Sequence, residues 1–262
     1  MPDEVAHTSS AREGGLELAI SAIKAAYDRR QTSVPLARYS ETNPAVICRT
    51  REIQRRTLSL LKRVGTSELG HLRVLDVGCG TGYWLRNFLQ WGAEPNLLFG
   101  VDLLQERLDR ARDLSDSGVT LVCGSAHQLS FCSGYFDLIC QSTVFSSVLN
   151  SDLRLLIAAE MKRVLRPGGL ILWYDFFLNN PWNPDVRGVR KSEIRRLFPN
   201  CEITIERLTV APPLARIVSR CAVIYRAMAA TRVLSTHYLA AIRKVEQSPR
   251  TDRQELLPSS KQ

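Results

Sequence analysis

Asp76 stands two residues before three glycines at alternate positions, in the run Val74-Leu75-Asp76-Val77-Gly78-Cys79-Gly80-Thr81-Gly82-Tyr83. Glycines so placed let the backbone approach a ligand closely, and a glycine turn after a strand opens a crevice at the carboxyl ends of a parallel sheet. The spacing restricts the ligand. A dinucleotide site needs GxGxxG, and the third glycine place here holds Tyr83. A P-loop needs a lysine after its last glycine, and Tyr83 and Trp84 follow instead. Asp76 would repel phosphate and favour an ammonium or sulfonium group. A second apolar run, Phe99-Gly100-Val101, ends in Asp102, where a carboxylate can accept both hydroxyls of a ribose. Singly, Asp76 could be a turn carboxylate and Asp102 an N-cap. Their joint spacing is what points to a ligand.

A ligand with a ribose, a positive charge and no phosphate meets these conditions, and S-adenosyl-L-methionine is one. The chain also resembles the class I S-adenosyl-L-methionine-dependent methyltransferases, of the bacterial type-11-like group. The resemblance rests on Leu75-Asp76-Val77-Gly78-Cys79-Gly80-Thr81-Gly82, Gly100-Val101-Asp102, Gly124 to Leu129, Phe136 to Ile139, and Arg163 to Gly169, in that order. It covers residues 70 to 176. It implies that Asp76 and the amides around Gly78, Gly80 and Gly82 hold the methionine part, that Asp102 with Leu103 holds the ribose, and that Ser125 and Ala126 line the adenine. It places Gln141 beside the reacting centre. Ser125 departs from the aspartate the family more often has there.

Methyl transfer needs an acceptor aligned behind the methyl carbon, and placement with desolvation supplies most of the rate. An oxygen acceptor also needs a base. The ends of the fourth and fifth strands nominate Gln141, Ser142, Tyr174 and Asp175, with Asp175 as base and Tyr174 as an orienting hydroxyl. Asp175 has a bland alternative as a loop-capping carboxylate. His127 reads as a surface histidine and His237 as structural. Asn179-Asn180-Pro181-Trp182 is similar to the Asn-Pro-Pro-aromatic box of nitrogen methyltransferases, but it follows the fifth strand and has one proline, which disfavours nucleobase methylation. The expected acceptor is a small molecule, a glycan or a lipid-linked compound, methylated at oxygen. Arg187, Arg190, Lys191, Arg195 and Arg196, against Glu193 alone, suit an anionic acceptor. No nucleic acid partner and no metal are expected. An NAD-dependent oxidoreductase and a non-catalytic cofactor-binding module of the same fold are the alternatives.

Strands and helices alternate to position these residues. Strands are expected at 73–77, 97–102, 120–123, 136–141 and 170–176, with helices at 83–91, 105–113 and 152–165 between them; Ser151 is the expected N-cap of the last. This pattern predicts a doubly wound, mostly parallel, seven-stranded α/β sheet of Rossmann-like type with an N-terminal helical cap. Residues 1–69 are read as a disordered start (1–14) and a helical cap (helices at 16–28 and 45–64), 70–246 as the methyltransferase domain, and 247–262 as a flexible tail. Beyond the fifth strand the pattern gives a helix at 192–198, a strand at 201–210, a helix at 214–230 and a strand at 236–242. No apolar run reaches the ~20 residues of a membrane span, and the polar start lacks a signal-peptide order, so a cytoplasmic protein is expected. Seven scattered cysteines without a CxxC argue against disulfides or zinc. The net charge of +9 is uneven. Residues 176–262 hold 15 basic and 7 acidic residues, and residues 71–175 hold 9 and 11. Peripheral membrane contact by the 214–230 helix is a lesser reading beside simple packing on its own domain.

Overall fold

The structure, a computed structural model, describes residues 2–33, 42–180, 183–211, 214–215, 217, 219, 221–232 and 234–245; side chains 2–13, 31–33, 222–223 and 226 lie outside that description. The elements in chain order are α1 (Pro2–Ser33), α2 (Pro44–Arg63), β1 (Val74–Val77), α3 (Tyr83–Gln90), β2 (Leu98–Asp102), α4 (Gln105–Leu114), β3 (Thr120–Cys123), β4 (Phe136–Ser142), α5 (Ser151–Val164), β5 (Leu165–Phe176), α6 (Lys191–Leu197), β6 (Cys201–Val210), α7 (Ala222–Thr231) and β7 (Ser235–Lys244).

The seven strands form one sheet in the order β3-β2-β1-β4-β5-β7-β6. All neighbours are parallel except β7, which runs antiparallel between β5 and β6. The order reverses between β1 and β4, and such a switch point leaves a crevice at the strands' carboxyl ends. β1 is buried throughout and the core of β5 nearly so, as central strands covered on both faces must be. One face packs Leu75, Val77, Ile139, Ile171 and Trp173 against α5 and α6, with Ile20 and Ile23 of α1 resting on that cluster. The opposite face packs Cys140, Leu172 and Tyr174 with Ile53 and Leu60 of α2, Phe88 of α3 and Leu108 of α4.

Three expectations change. The chain is helical from Pro2, where a disordered start was expected. Those first turns carry no apolar stripe, so periodicity gives no signal, and Pro2 sits where its missing N–H is harmless. Asn150, not Ser151, caps α5, its Oδ1 accepting from the Leu153 amide at 2.9 Å. The single helix expected at 214–230 is broken, since Cys221 is extended (φ −125°, ψ 107°) before α7 begins. Ala215 and Tyr225 both pack with Val210. The tail from 247, the Pro181-Trp182 pair, Pro212-Pro213 and the side chains of Arg216, Arg220 and Arg226 lie outside the described residues. No described helix is long and apolar enough to cross a membrane. All seven cysteines are free.

Candidate active site

Gly78, Gly80 and Gly82 carry the chain from β1 into α3 with φ of 69°, 54° and 75°. Space adds to the backbone constraint. A Cβ on Gly78 would lie 2.5 Å from Cγ2 of Val144, and one on Gly80 would lie 2.7 Å from a guanidinium nitrogen of Arg107. The loop uses its amides to fix itself. Gly78 and Cys79 donate to the Val101 carbonyl at 2.7 and 3.1 Å, Gly80 donates to Oδ2 of Asp102 at 2.8 Å, and Gly82 donates to the Cys79 carbonyl at 2.9 Å. These amides, expected to hold a methionine moiety, tie the turn to β2 and to its own first residues.

Asp76, in β1 just before the loop, differs from these amides. Its carboxylate is buried, and neither oxygen has a hydrogen-bond partner. Burial, with the charge of Asp102 added, pushes its pKa well above the usual carboxylate range. A buried carboxylate without partners is costly, and an ammonium group brought to it would relieve that cost. Asp102 accepts from Gly80 at 2.8 Å and from the Leu104 amide at 3.0 Å, one bond per oxygen. Each oxygen retains capacity for a further donor such as a ribose hydroxyl.

Gly78, Asp102, Leu103, Ser125 and Ala126 line one pocket, together with Val144, Ser147 and Val148 from the loop after β4. Five of the expected cofactor residues thus meet; Asp76, Gly80, Gly82 and Gln141 are not in its lining. The Ser125 hydroxyl is shared with Nδ1 of His127 at 2.6 Å, so His127 has a fixed partner rather than a free surface. Sequence reasoning missed the roof, which is α1. Ile20, Ile23, Lys24 and Tyr27 close the pocket, and the Tyr27 ring lies between the guanidinium groups of Arg107 and Arg30, 5.0 and 5.1 Å from its centroid. Arg29 pairs with Asp185 at 2.7 Å and so ties α1 to the loop after β5. The stripe at 20, 23 and 27 announces a helix but not what it covers.

Gln141 and Asp175 lie under the 143–148 loop. Oε1 of Gln141 accepts from Val144, and its buried Nε2 has no partner. Asp175 accepts from the amides of Ser146 at 3.1 Å and Phe176 at 2.8 Å, and burial lifts its pKa to about 6. Tyr174 points the other way, as successive strand residues do. It packs in the α2–α4 cluster, and its hydroxyl meets Oγ1 of Thr209 at 2.8 Å. The expectation that Asp175 and Tyr174 act on one acceptor is corrected, because they occupy opposite faces of the sheet.

A polar cluster surrounds Tyr174 at the carboxyl ends of β4 and β5. Glu52 accepts from the Tyr225 hydroxyl at 2.7 Å and from the Thr209 amide at 3.3 Å. His237 stacks on Tyr174 at 4.7 Å, and Nδ1 of His237 meets Thr236 at 2.9 Å. Burial, reinforced by the charge of Arg49, lowers the His237 pKa to about 3, so the ring is neutral. Thr143 and Thr209 have φ of 58° and 69°. Both touch Tyr174, the first through its amide on the Tyr174 carbonyl. Strained β-branched residues of this kind gather at functional sites. Among the described residues no group of three or more metal-ligating side chains occurs.

Residues 74–169 match the family model described as a methyltransferase domain. Over those residues this chain is similar to class I S-adenosyl-L-methionine-dependent methyltransferases. The bifunctional biotin-biosynthesis protein BioHC of Cellvibrio japonicus is 29% identical over 153 residues, which is 57% of this chain and 29% of that protein. The ubiquinone/menaquinone biosynthesis C-methyltransferase UbiE of Paraburkholderia phymatum is 33% identical over 116 residues, 43% of this chain and 45% of UbiE. This chain thus spans less than half the length of these curated relatives. The crystal structure of an S-adenosylmethionine-dependent methyltransferase from Mesorhizobium loti superposes with a TM-score of 0.52 at 18% identity, covering 73% of this chain and 95% of that one. At that identity the likeness concerns the fold.

Proposed function

We propose that this protein transfers a methyl group from S-adenosyl-L-methionine to oxygen of a small-molecule, glycan or lipid-linked acceptor. The carrying observation is Asp76, a buried carboxylate with two unpartnered oxygens that feels the charge of Asp102, which lines a pocket with Ser125 and Ala126. When bound, the cofactor supplies an electrophilic methyl carbon on a sulfonium. Asp76 holds the cofactor's ammonium, Asp102 its ribose hydroxyls, and Ala126 and Ser125 border its base. The 143–148 loop, supported from below by Asp175 and Gln141, separates water from the reacting centre.

The acceptor lies on the Tyr174 side. That side of the sheet also carries Asp76, since Asp76 pairs in register with Cys140, Cys140 with Leu172, and Tyr174 follows two residues on. Tyr174 orients the acceptor through its hydroxyl. Asp175, on the far face, positions the loop. Carbon is the second reading for the accepting atom, favoured by the UbiE relatives, whose names specify C-methyltransferase. Burial and the charge of Arg49 hold the His237 pKa low, and Asp175 lies on the far face, so the acceptor oxygen arrives already ionised, as an acidic phenol does, its proton having passed to solvent.

The test is transfer of radiolabelled methyl to fractionated acceptors: phenols, reducing and lipid-linked glycans, and quinones, each with wild type and Tyr174→Phe. Label released as methoxy by ether cleavage supports the oxygen reading. Label retained on carbon replaces it with the second reading. Absence of binding of S-adenosyl-L-homocysteine overturns both.

A further inference from the structure

α2 runs back along β6, from the carboxyl ends of the sheet toward the amino ends. Glu52 meets the Thr209 amide and the Tyr225 hydroxyl, Arg56 and Arg63 pair with Glu206, and the Val64 carbonyl accepts from Arg243. Arg49 lies one turn before Glu52 on the same face, about 4.5 Å further along the helix axis, and helical side chains tilt toward the N-terminus. It therefore stands at the level where β5 and β6 end, over the Tyr174 cluster. On its flank α2 meets α3, where Gln54 donates to Asn87 at 2.5 Å. The charge of Arg49 is felt at Tyr83, which follows the glycine turn, at Tyr174 and at His237. The starts of α2 and α3 and the ends of the strands thus surround one guanidinium.

That guanidinium is half-buried, and among the described residues it has no ion pair. Glu52, one turn on, has one oxygen on Thr209 and the other on Tyr225. A half-buried cation without a counter-ion is costly, and an anionic ligand would relieve that cost. The sheet order decides which anion. Asp102, Ser125 and Ala126 belong to β2 and the loop after β3, on one side of β1, whereas Tyr174 and His237 belong to β5 and β7, on the other. Arg49 therefore stands on the acceptor's half. No group on that half is suited to take a proton. Burial raises the Tyr174 pKa and lowers that of His237, and both Glu52 oxygens are engaged.

We propose that Arg49 binds the acceptor by its reacting oxygen in the ionised form, which makes the acceptor an oxygen acid of the acidic phenol or enol class. This rests on the methyltransferase reading above and narrows it. The oxyanion attacks the methyl carbon with its own electron pair, and the carbon–sulfur bond breaks with its pair left on sulfur. Oxyanion and sulfonium both become neutral, so no proton moves in the step. A charge-assisted bond from Arg49 favours the ionised oxygen before transfer and loosens once the methyl ether has formed.

The experiment is equilibrium dialysis of the full chain, with and without S-adenosyl-L-homocysteine, at a pH where 4-nitrophenol is ionised. The probes are 4-nitrophenol and its neutral methyl ether, 4-nitroanisole. The expected result is at least tenfold tighter binding of the phenolate. Arg49→Gln should remove that preference and leave 4-nitroanisole binding unchanged, while Arg49→Lys should keep most of it. Both variants should match the wild type in melting temperature and in affinity for S-adenosyl-L-homocysteine. Wild type that holds the phenolate no better than the ether overturns the proposal, as does a preference that survives Arg49→Gln. A tenfold loss of S-adenosyl-L-homocysteine affinity in Arg49→Gln overturns it in favour of the cofactor's own carboxylate. Tighter Arg49-dependent binding of 4-methoxybenzoate than of 4-nitrophenolate overturns it too, because the charge would then lie away from the methylated oxygen. Wild type that fails to bind S-adenosyl-L-homocysteine would instead sink the methyltransferase reading, and the phenolate preference is measured without that ligand as well.

Discussion

Asp76 carries two roles that ordinarily conflict: it is buried without a partner, yet it is the group best placed to receive a cation. Its raised pKa gives the conflict a measurable sign. In the ligand-free protein the carboxyl holds its proton to higher pH than usual. An ammonium beside it favours the ionised form, so binding at a pH below the free pKa releases a proton, and affinity rises with pH across the interval between the bound and free pKa values. Calorimetry of S-adenosyl-L-homocysteine in buffers of different ionisation heat should show this release, and Asp76→Asn should abolish it along with most of the affinity. Equal apparent heats in all buffers would mean that the ammonium lies elsewhere. Gly78 tests the geometry of the same turn. Gly78→Ala places a methyl 2.5 Å from Val144 and holds an L-residue at φ 69°. The left-handed backbone alone costs roughly 1–2 kcal/mol, so Gly78→Ala with Val144→Ala should recover only part of the lost thermal stability. Full recovery in the double variant would show that the steric contact, not φ, is what demands glycine.

At the scale of elements, Arg154 of α5 fixes the segments that frame the pocket. Its side chain is fully buried. Nε donates to the Val148 carbonyl at 2.6 Å, Nη1 to Glu193 at 2.6 Å, and Nη2 to the Arg187 carbonyl at 3.0 Å. One guanidinium thus ties the loop after β4, the loop after β5 and α6 to α5. It also explains where the basic run 187–196 goes. Arg187 shares Glu193 with Arg154, and Arg195 and Arg196 lie in the last turn of α6. The run is therefore shared between the loop after β5, where Glu193 holds Arg187, and α6. Removing one partner of a buried pair is the expensive change, about 3–5 kcal/mol. Arg154→Met should lower the melting temperature by roughly 10 °C in a domain of this size, and it should weaken cofactor binding through Val148. Glu193→Gln keeps an acceptor for Arg154 and should cost less. Equal melting temperatures for wild type and Arg154→Met would show that α6 and the loops are held by packing alone.

At the scale of the whole molecule, what could be read from the sequence was what is local in it. β3 and β6 have their expected limits, and β1, β2 and β4 differ by one residue at one end. Asp76, the glycines and Asp102 are close in the chain, and their spacing is their geometry. The Tyr174 cluster could not be read this way. Glu52, Thr209 and Tyr225 come from α2, β6 and α7, and they meet only because β7 inserts antiparallel beside β5. The roof is equally non-local, since α1 precedes β1 by more than forty residues and still closes the pocket. A ligand there touches α1, the first glycine turn and the ends of β2 and β3 at once, so it should stabilise the whole fold by mass action. At a hundred times its dissociation constant S-adenosyl-L-homocysteine should contribute about 2.7 kcal/mol, a rise in melting temperature of roughly 5–10 °C. NAD should give none. Its pyrophosphate needs free amides at the glycine turn, and here the Gly78, Cys79, Gly80 and Gly82 amides are bonded within the protein while the Asp102 carboxylate lies beside them. An equal shift with NAD would show that the turn can release those amides, and the oxidoreductase alternative would then return.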